Sequence, residues 1–376
     1  MQIKGVVPGL AALLLIPIAT AGTAPPAAQA VAQPATPELV ILDTDIGDDI
    51  DDAFALALLL QSPEVKLLGI TTAFGDTELR ARLVDRYLSA AGRAEIPVQA
   101  GVPTPAANHF TQAAYALQQP ERKHGDAVAF LLRQIRAHPG QITLLAIGPL
   151  FNVQAAIARD PAAFRKLQRV VLMGGSIDRG YDDAKSGNDH EPPSAEWNIR
   201  CDPAGLRALL NSGVPVFMMP LDSTQIHLTL PELGRVLSYG SPLTDQLTLL
   251  YHEWTGPNTW RMPTLYDPVA AAFAIRPELC PTQPMRLNVD ENGFTRRQAG
   301  SPNVNVCLKS SEKAFLDLLL ARIAPVSNSG ATSADREENL LDAFHFAHPF
   351  RSIPRPAANF TTVSAVTFKP IDSRKN

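Results

Sequence analysis

The chain has 376 residues, 45% hydrophobic and 19% charged, with a net charge of −4. That balance can fill the core of one large α/β domain or two smaller ones. It lacks the basic surplus needed to bind a phosphate backbone, so no nucleic-acid partner is expected. Lys4 is the only charge ahead of a small and apolar run, Gly5–Ala21. Ala28-Gln-Ala30 and Ala19-Thr-Ala21 are both small-x-small cleavage sites. Residues 1–30 therefore read as a secretory signal peptide, which predicts a periplasmic or secreted protein. An uncleaved anchor is the competing reading, but Pro17 interrupts the run and it is short for a spanning helix. No later stretch is long and apolar enough, so no stable membrane association is expected after cleavage. Residues 31–37 read as a linker.

Leu39–Asp43 is an apolar run ending in acid, the pattern of a buried parallel strand whose carboxyl end faces a site. A strongly apolar helix follows at 52–60, then a strand at 66–74 and a helix at 78–91 with alternating charges. A helix at 127–137, a strand at 142–147, a helix at 152–158 and a strand at 169–173 continue the alternation. A helix at 203–210 and a strand at 214–221 follow. This order predicts an α/β fold with a single open, mostly parallel sheet and helices on both faces, spanning 38–325. A small C-terminal β-hairpin is expected, Met285–Val289 against Asn303–Leu308 across Asp290-Glu-Asn-Gly293, then a helix at 314–323. Residues 326–376 read as a C-terminal tail with a short helix around 338–344. Cys280 and Cys307 flank the β region and are the candidate disulfide in an exported chain, with Cys201 left over; three unpaired thiols is the other reading. No cysteine has zinc-ligand spacing.

Six aspartates, Asp43, Asp45, Asp48, Asp49, Asp51 and Asp52, lie within ten residues after the first strand. Turn chemistry explains glycines at strand ends but not this density of like charge. A bound cation would neutralise it, and carboxylates without His or Cys favour Ca²⁺ or Mg²⁺. An EF-hand starting at Asp43 fails, because its sixth and twelfth positions hold Asp48 and Phe54 rather than Gly and Glu. A haloacid-dehalogenase-type phosphatase fits Asp43-Thr-Asp45 but fits Ile46-Gly-Asp48 poorly, and stays as an alternative.

Asp43-Thr-Asp45-Ile-Gly47 followed by Asp51-Asp52-Ala-Phe-Ala-Leu56 resembles the N-terminal signature of the inosine–uridine preferring nucleoside hydrolases, with two additional residues before the Asp pair. Further blocks match in the same order: Leu68–Thr72 with Gly75, Ile96–Gly101, His124-Gly125, Ala146–Asn152 and Met173–Gly175. Ala195–Asn198 with Asp202-Pro203, Ser212–Pro215, Leu221–Thr224 and Leu265–Pro268 complete the set, over residues 38–324. The resemblance implies Ca²⁺-dependent hydrolysis of the N-glycosidic bond of ribonucleosides, giving ribose and free base. The implied partner is a small nucleoside, and analogy adds a homo-oligomer.

By the same resemblance Asp45, Asp49, Asp52, the Ile147 carbonyl and Asp267 are metal ligands. The two additional residues leave the division among Asp49, Asp51 and Asp52 open. Asp45 also accepts a proton from the attacking water. Substrate contacts are implied for Asp51, Asp76, His124, Met173, Glu196, Asn198 and Trp260, with Glu196 and Asn198 pointing the same way if their segment is extended. Trp254 and Trp260 could stack on the base or simply pack between helices. Three positions depart from the family pattern. Asp76 stands where Asn is common, and His190 where Asn is common, with Asn188 nearby. Tyr266 stands where a His that protonates the leaving base is often found. Tyr266 and His252, with His227 and Arg261, are the candidates for that role. A non-catalytic Ca²⁺-dependent nucleoside- or ribose-binding protein remains a second reading.

Overall fold

Strand β1 (Glu38–Thr44) shows how the sequence pattern becomes a layered fold. Its apolar side chains alternate between two cores: Val40 and Leu42 enter one, Ile41 the other. β5 (Ile142–Ala146) and β6 (Arg169–Met173) split in the same way, with Leu145, Val171 and Met173 on one face and Leu144, Val170 and Leu172 on the other. A strand buried on both faces must be apolar throughout, which is why these runs carry no polar alternation.

The computed structural model describes residues 36–105, 110–182, 191–256 and 261–326. The predicted signal peptide, most of the linker and the tail beyond Val326, with its short helix, lie outside them. The remaining strands are β2 (Val65–Thr72), β3 (Val98–Ala100), β4 (Gly125–Asp126), β7 (Val216–Met219), β8 (Gln283–Met285), β9 (Leu287–Val289), β10 (Thr295–Arg297) and β11 (Val304–Val306). The main sheet runs β4-β3-β2-β1-β5-β6-β7-β11-β8, parallel except for β8 against β11. Helices cover both faces, as the alternation predicted. No helix among the described residues is long and apolar enough to cross a membrane.

The hairpin differs from its prediction. Its turn at 290–294 joins β9 to β10, pairing Val289 with Thr295. β11 instead enters the main sheet beside β7 and pairs with β8 through Val304 and Met285. Met285–Val289 thus spans the end of β8 and all of β9, two short strands serving two sheets. The strands have three residues each, too few for alternation to fix register.

Cys280 and Cys307, both buried, form a disulfide with Cα atoms 5.6 Å apart, and Cys201 is free. The bridge ties the end of the 3₁₀ turn Pro277–Leu279 to the residue after β11. The Cys280→Ser/Cys307→Ser double variant is expected to lose about 3 kcal/mol of stability. Chemical denaturation should show this as a lower midpoint that reducing agent does not shift further.

Candidate active site

The carboxyl end of β1 delivers Asp43, Thr44 and Asp45 into a loop that turns directly into helix Asp51–Leu60. Asp51 and Asp52 occupy that helix's first turn. Helix Tyr266–Ile275 packs beside it and brings Asp267 in its own first turn. Two helix N-termini thus point their partial positive charge at three carboxylates. One oxygen from each of Asp51, Asp52 and Asp267 lies within 4.8 Å of the other two, and all three residues are buried. The Asp267 backbone N–H donates to Asp51 Oδ2 at 3.2 Å, and the Thr44 hydroxyl donates to Asp52. Burial first, then repulsion from neighbouring aspartates, Asp45 and Asp49 among them, holds all three pKa values well above the ordinary carboxylate value. Burial likewise pushes Asp45 to about 7, with Asp48 and Glu196 adding to the rise.

A cavity of about 450 Å³ opens on this cluster. Its wall includes Asp45, Asp48, Asp49, Glu196, Asn198, Ile147 and Met173, together with the aromatic rings of Tyr181, Trp197, Trp254 and Tyr266. Glu196 accepts from the backbone N–H groups of Gly175, Asn198 and Ile199, at 2.9–3.1 Å. The Asn198 amide donates to the carbonyls of Ile147 and Met173, both at 3.2 Å, joining the ends of β5 and β6. Glycine is required at 148: a Cβ there would meet Asp45 Oδ1 at 2.8 Å and its backbone nitrogen at 2.9 Å.

The aspartate loop is braced from behind by Arg80, a buried side chain on helix Thr77–Ala90. Its guanidinium donates to the carbonyls of Phe74, Asp45 and Ile46 and pairs with Asp48 at 2.8 Å. Thr111 and Gln112 clamp the other side, donating to the carbonyls of Asp48 and Asp49, each at 2.7 Å. Gly47, at φ +129°, lies under the Phe110 ring, which a Cβ would strike at 1.8 Å. Asp43 is not among the residues that line the cavity. It accepts from Thr71 at 2.5 Å and Asn152 at 2.7 Å, and burial raises its pKa to about 6.

Residues 40–317 match the family model described as inosine-uridine preferring nucleoside hydrolase. The chain belongs to this family. It is 29% identical to a pyrimidine-specific ribonucleoside hydrolase, RihA, of Enterobacter sp. (strain 638), covering 77% of this chain and 98% of that one. It is 30% identical to uridine nucleosidase 1 of Arabidopsis thaliana, covering 68% and 80%. A solved plant nucleoside hydrolase superposes with a TM-score of 0.68 at 26% identity, covering 77% of this chain and all of that one. As a nucleoside hydrolase the protein is an N-ribohydrolase.

Of the residues expected at the nucleoside hydrolase site, Asp45, Asp49, Asp51, Asp52, Ile147, Met173, Glu196, Asn198, Tyr266 and Asp267 line the cavity. Within it the close carboxylate group contains Asp51 rather than Asp49. The Asp49 carboxylate accepts from the Ile50 N–H at 2.7 Å; burial raises its pKa, and that hydrogen bond and the charge of Arg261 work against the rise. Glu196 and Asn198 are not in an extended run. Glu196 is the N-cap of helix Trp197–Cys201, so the two side chains diverge, one onto backbone N–H groups and one onto carbonyls.

Three expected residues do not line the cavity. Asp76 is exposed and caps helix Thr77–Ala90 by accepting from Leu79 N at 2.9 Å. His252 is exposed near the end of helix Pro242–Thr255, its ring against Tyr251. His227, a further candidate for the leaving base, pairs with Thr264. The third expected residue, His124, lies between Glu78 and Asp85, 2.6 Å and 2.9 Å from its two ring nitrogens. Trp260, His190 and Asn188 lie outside the described residues. The cavity residues not foreseen are Thr111, Tyr181 and Trp197; Asp48 was read only as a member of the aspartate cluster, with no role of its own. Trp197 was legible as the centre of the matched Glu-Trp-Asn block.

The His124 arrangement has a pH consequence. Both ring nitrogens face carboxylates, so both must donate, and the ring is an imidazolium. Burial opposes that charge, but hydrogen bonds to Asp85 and Glu78 carry the pKa above the ordinary 6.5. The stabilisation is therefore fully present below pH 6.5 and is lost as pH rises through the folded-state value. Asp85, lowered below 3.8 by His124 and Arg122 against its burial, loses its share only in strong acid. Thermal melts should show a larger gap between wild type and His124→Asn at pH 6 than at pH 9. A gap independent of pH would contradict the charged assignment.

Proposed function

We propose that this protein hydrolyses the N-glycosidic bond of ribonucleosides, releasing ribose and free base, with Ca²⁺ held by the aspartate cluster. The observation that carries the reading is the convergence of Asp51, Asp52 and Asp267 at two helix N-termini, in a cavity that Glu196 and Asn198 also line. The residues fit a hard divalent cation. Three buried carboxylates crowd together, and the described lining contains neither His nor Cys. Asp51, Asp52 and Asp267 would hold the ion, with Asp45 and the Ile147 carbonyl beside them. When bound, such an ion supplies the charge that lets these carboxylates ionise together and makes a nearby water more acidic.

The chain's own groups account for the rest. Asp45 accepts the proton of the attacking water. Asp51, Glu196 and Asn198 hold ribose hydroxyls, fixing C1′ against that water and removing entropy from the barrier. The acidic wall favours the positive charge that develops on the ribose ring as the C1′–N bond lengthens. The aromatic rings of Trp197, Trp254, Tyr181 and Tyr266 give the base an apolar, stackable enclosure.

The test is a panel of purine and pyrimidine ribonucleosides with Ca²⁺ supplied, read by free-base release and reducing sugar. Release of base with ribose in equal amounts is expected. Tight nucleoside binding by calorimetry with no turnover would instead favour a binding protein.

We also propose export. The N-terminal charge followed by an apolar run supports it, as does a buried disulfide, which persists in oxidising compartments. Mass spectrometry of the mature protein should find an N-terminus just after Ala21 or Ala30. An intact Met1 would contradict this.

A further inference from the structure

The described residues lining the cavity include seven carboxylates: Asp45, Asp48, Asp49, Asp51, Asp52, Glu196 and Asp267. Among those residues there is one cation, Arg261. It is built into the wall rather than left to wander. Its guanidinium lies over the Trp254 ring, 4.3 Å from the centroid, and Trp254 is itself buried. The Tyr251 hydroxyl donates to the Arg261 backbone carbonyl at 3.0 Å. Stacking engages the flat face of a guanidinium and leaves its N–H donors radiating in the plane. A guanidinium held 4.3 Å from an aromatic ring in the cavity wall has N–H donors that suit the edge of a heterocyclic base.

The reaction leaves this position a task. When the C1′–N bond breaks, the electron pair goes to the base nitrogen, and something must receive that charge. Of the candidates for that role, His227 and His252 do not line the cavity, which leaves Tyr266 and Arg261, and of these only Arg261 carries a positive charge to match an anionic base. His124 is held between Glu78 and Asp85, His227 pairs with Thr264, and His252 is exposed.

We infer that Arg261, stacked on Trp254, is the catalytic residue that receives the leaving base, hydrogen-bonding it as an anion. This rests on the nucleoside hydrolase reading. Arginine does not give up its proton in a protein, so it does not act as a general acid. Water oxygen bonds to C1′, the water proton goes to Asp45, and the C1′–N pair stays on the base. The base spreads that charge onto its ring carbonyl oxygens, where the guanidinium donates. It takes a proton from solvent on release, so nucleoside and water give ribose and neutral base. Bases with carbonyl acceptors gain most from this contact. An amino edge presents donors to donors and gains least.

The test compares wild type, Arg261→Ala and Arg261→Gln on uridine and on p-nitrophenyl riboside, whose phenolate leaves with little help. Thermal melts with and without Ca²⁺ confirm that each variant folds. Arg261→Ala should lower kcat on uridine by about a hundredfold, the scale of losing a charge-stabilising donor, and on p-nitrophenyl riboside by only about threefold. Arg261→Gln, with donors but no charge, should fall between on uridine. Equal losses on both substrates, or no loss on uridine, overturn the inference. Failure of the wild type on both substrates overturns the hydrolase reading itself, and this inference with it.

Discussion

The Asp267→Asn variant is expected to lose about a thousandfold in turnover, roughly 4 kcal/mol of barrier. In the absence of metal it is also expected to melt higher than wild type. Both effects have one cause. Asp267 is buried beside Asp51 and Asp52, and burial followed by the repulsion of its neighbours holds its pKa well above 3.8. A carboxyl whose folded-state pKa exceeds its unfolded one weakens the fold. The penalty begins as pH passes 3.8 and grows until the folded-state value is passed. Metal-free wild type should therefore lose stability as pH rises above about 4, and Asp267→Asn should lose less. With Ca²⁺ present the order reverses, because binding stabilises only the form that can bind. Melting curves at pH 5 and pH 8, with chelator and with Ca²⁺, resolve all four states. A variant that keeps its turnover, or that melts identically to wild type in chelator at pH 8, would contradict this.

Arg80→Ala should produce the largest loss of stability of any single change near the site, about 3–5 kcal/mol, the scale of breaking one partner out of a buried ion pair. Arg80 is 2% exposed and Asp48 16%, so neither charge is well hydrated once the other is gone. The carbonyls of Phe74, Asp45 and Ile46 lose their donor at the same time. These carbonyls belong to the loop that presents Asp45 and to the strand end beside it, so turnover should fall with stability. Arg80→Lys is not a rescue. An ammonium is a point charge and cannot reach three carbonyls and a carboxylate in the planar fork that guanidinium offers. Urea denaturation gives the stability change, and turnover in saturating Ca²⁺ gives the functional one. An Arg80→Ala protein with the wild-type midpoint would show that the brace carries no energy.

The layered fold was legible because its central strands are apolar on both faces and alternate with helices. The short strands β3 and β4 at one end of the sheet were not, since two or three residues carry no period. Helix Tyr266–Ile275 escaped for the opposite reason: it is buried nearly all round, so it has no polar face to reveal a helical repeat. Helices Leu230–Leu237 and Pro242–Thr255 did leave a signal. Thr229 with Glu232 and Ser241 with Thr244 form capping boxes, each with a Pro in the first turn.

At the site, the density of aspartates announced a cation, but Asp267 entered only through the family resemblance. Nothing local links it to a cluster more than two hundred residues earlier. Arg80 reads in sequence as part of a charged helical face. Its burial arises because the loop at 45–48 folds over it, a contact between distant segments that residue type cannot disclose. His124 shows the converse. A matched position suggested a substrate contact, whereas Glu78 and Asp85 hold both ring nitrogens.

If Asp51, Asp52 and Asp267 hold a Ca²⁺ ion on which hydrolysis of the N-glycosidic bond depends, uridine turnover by chelator-stripped protein titrated with Ca²⁺ shows it directly. Negligible turnover is expected without the ion, then a saturable rise that Mg²⁺ reproduces poorly, because Mg²⁺ demands a tighter octahedral shell. Full turnover in excess chelator would contradict it.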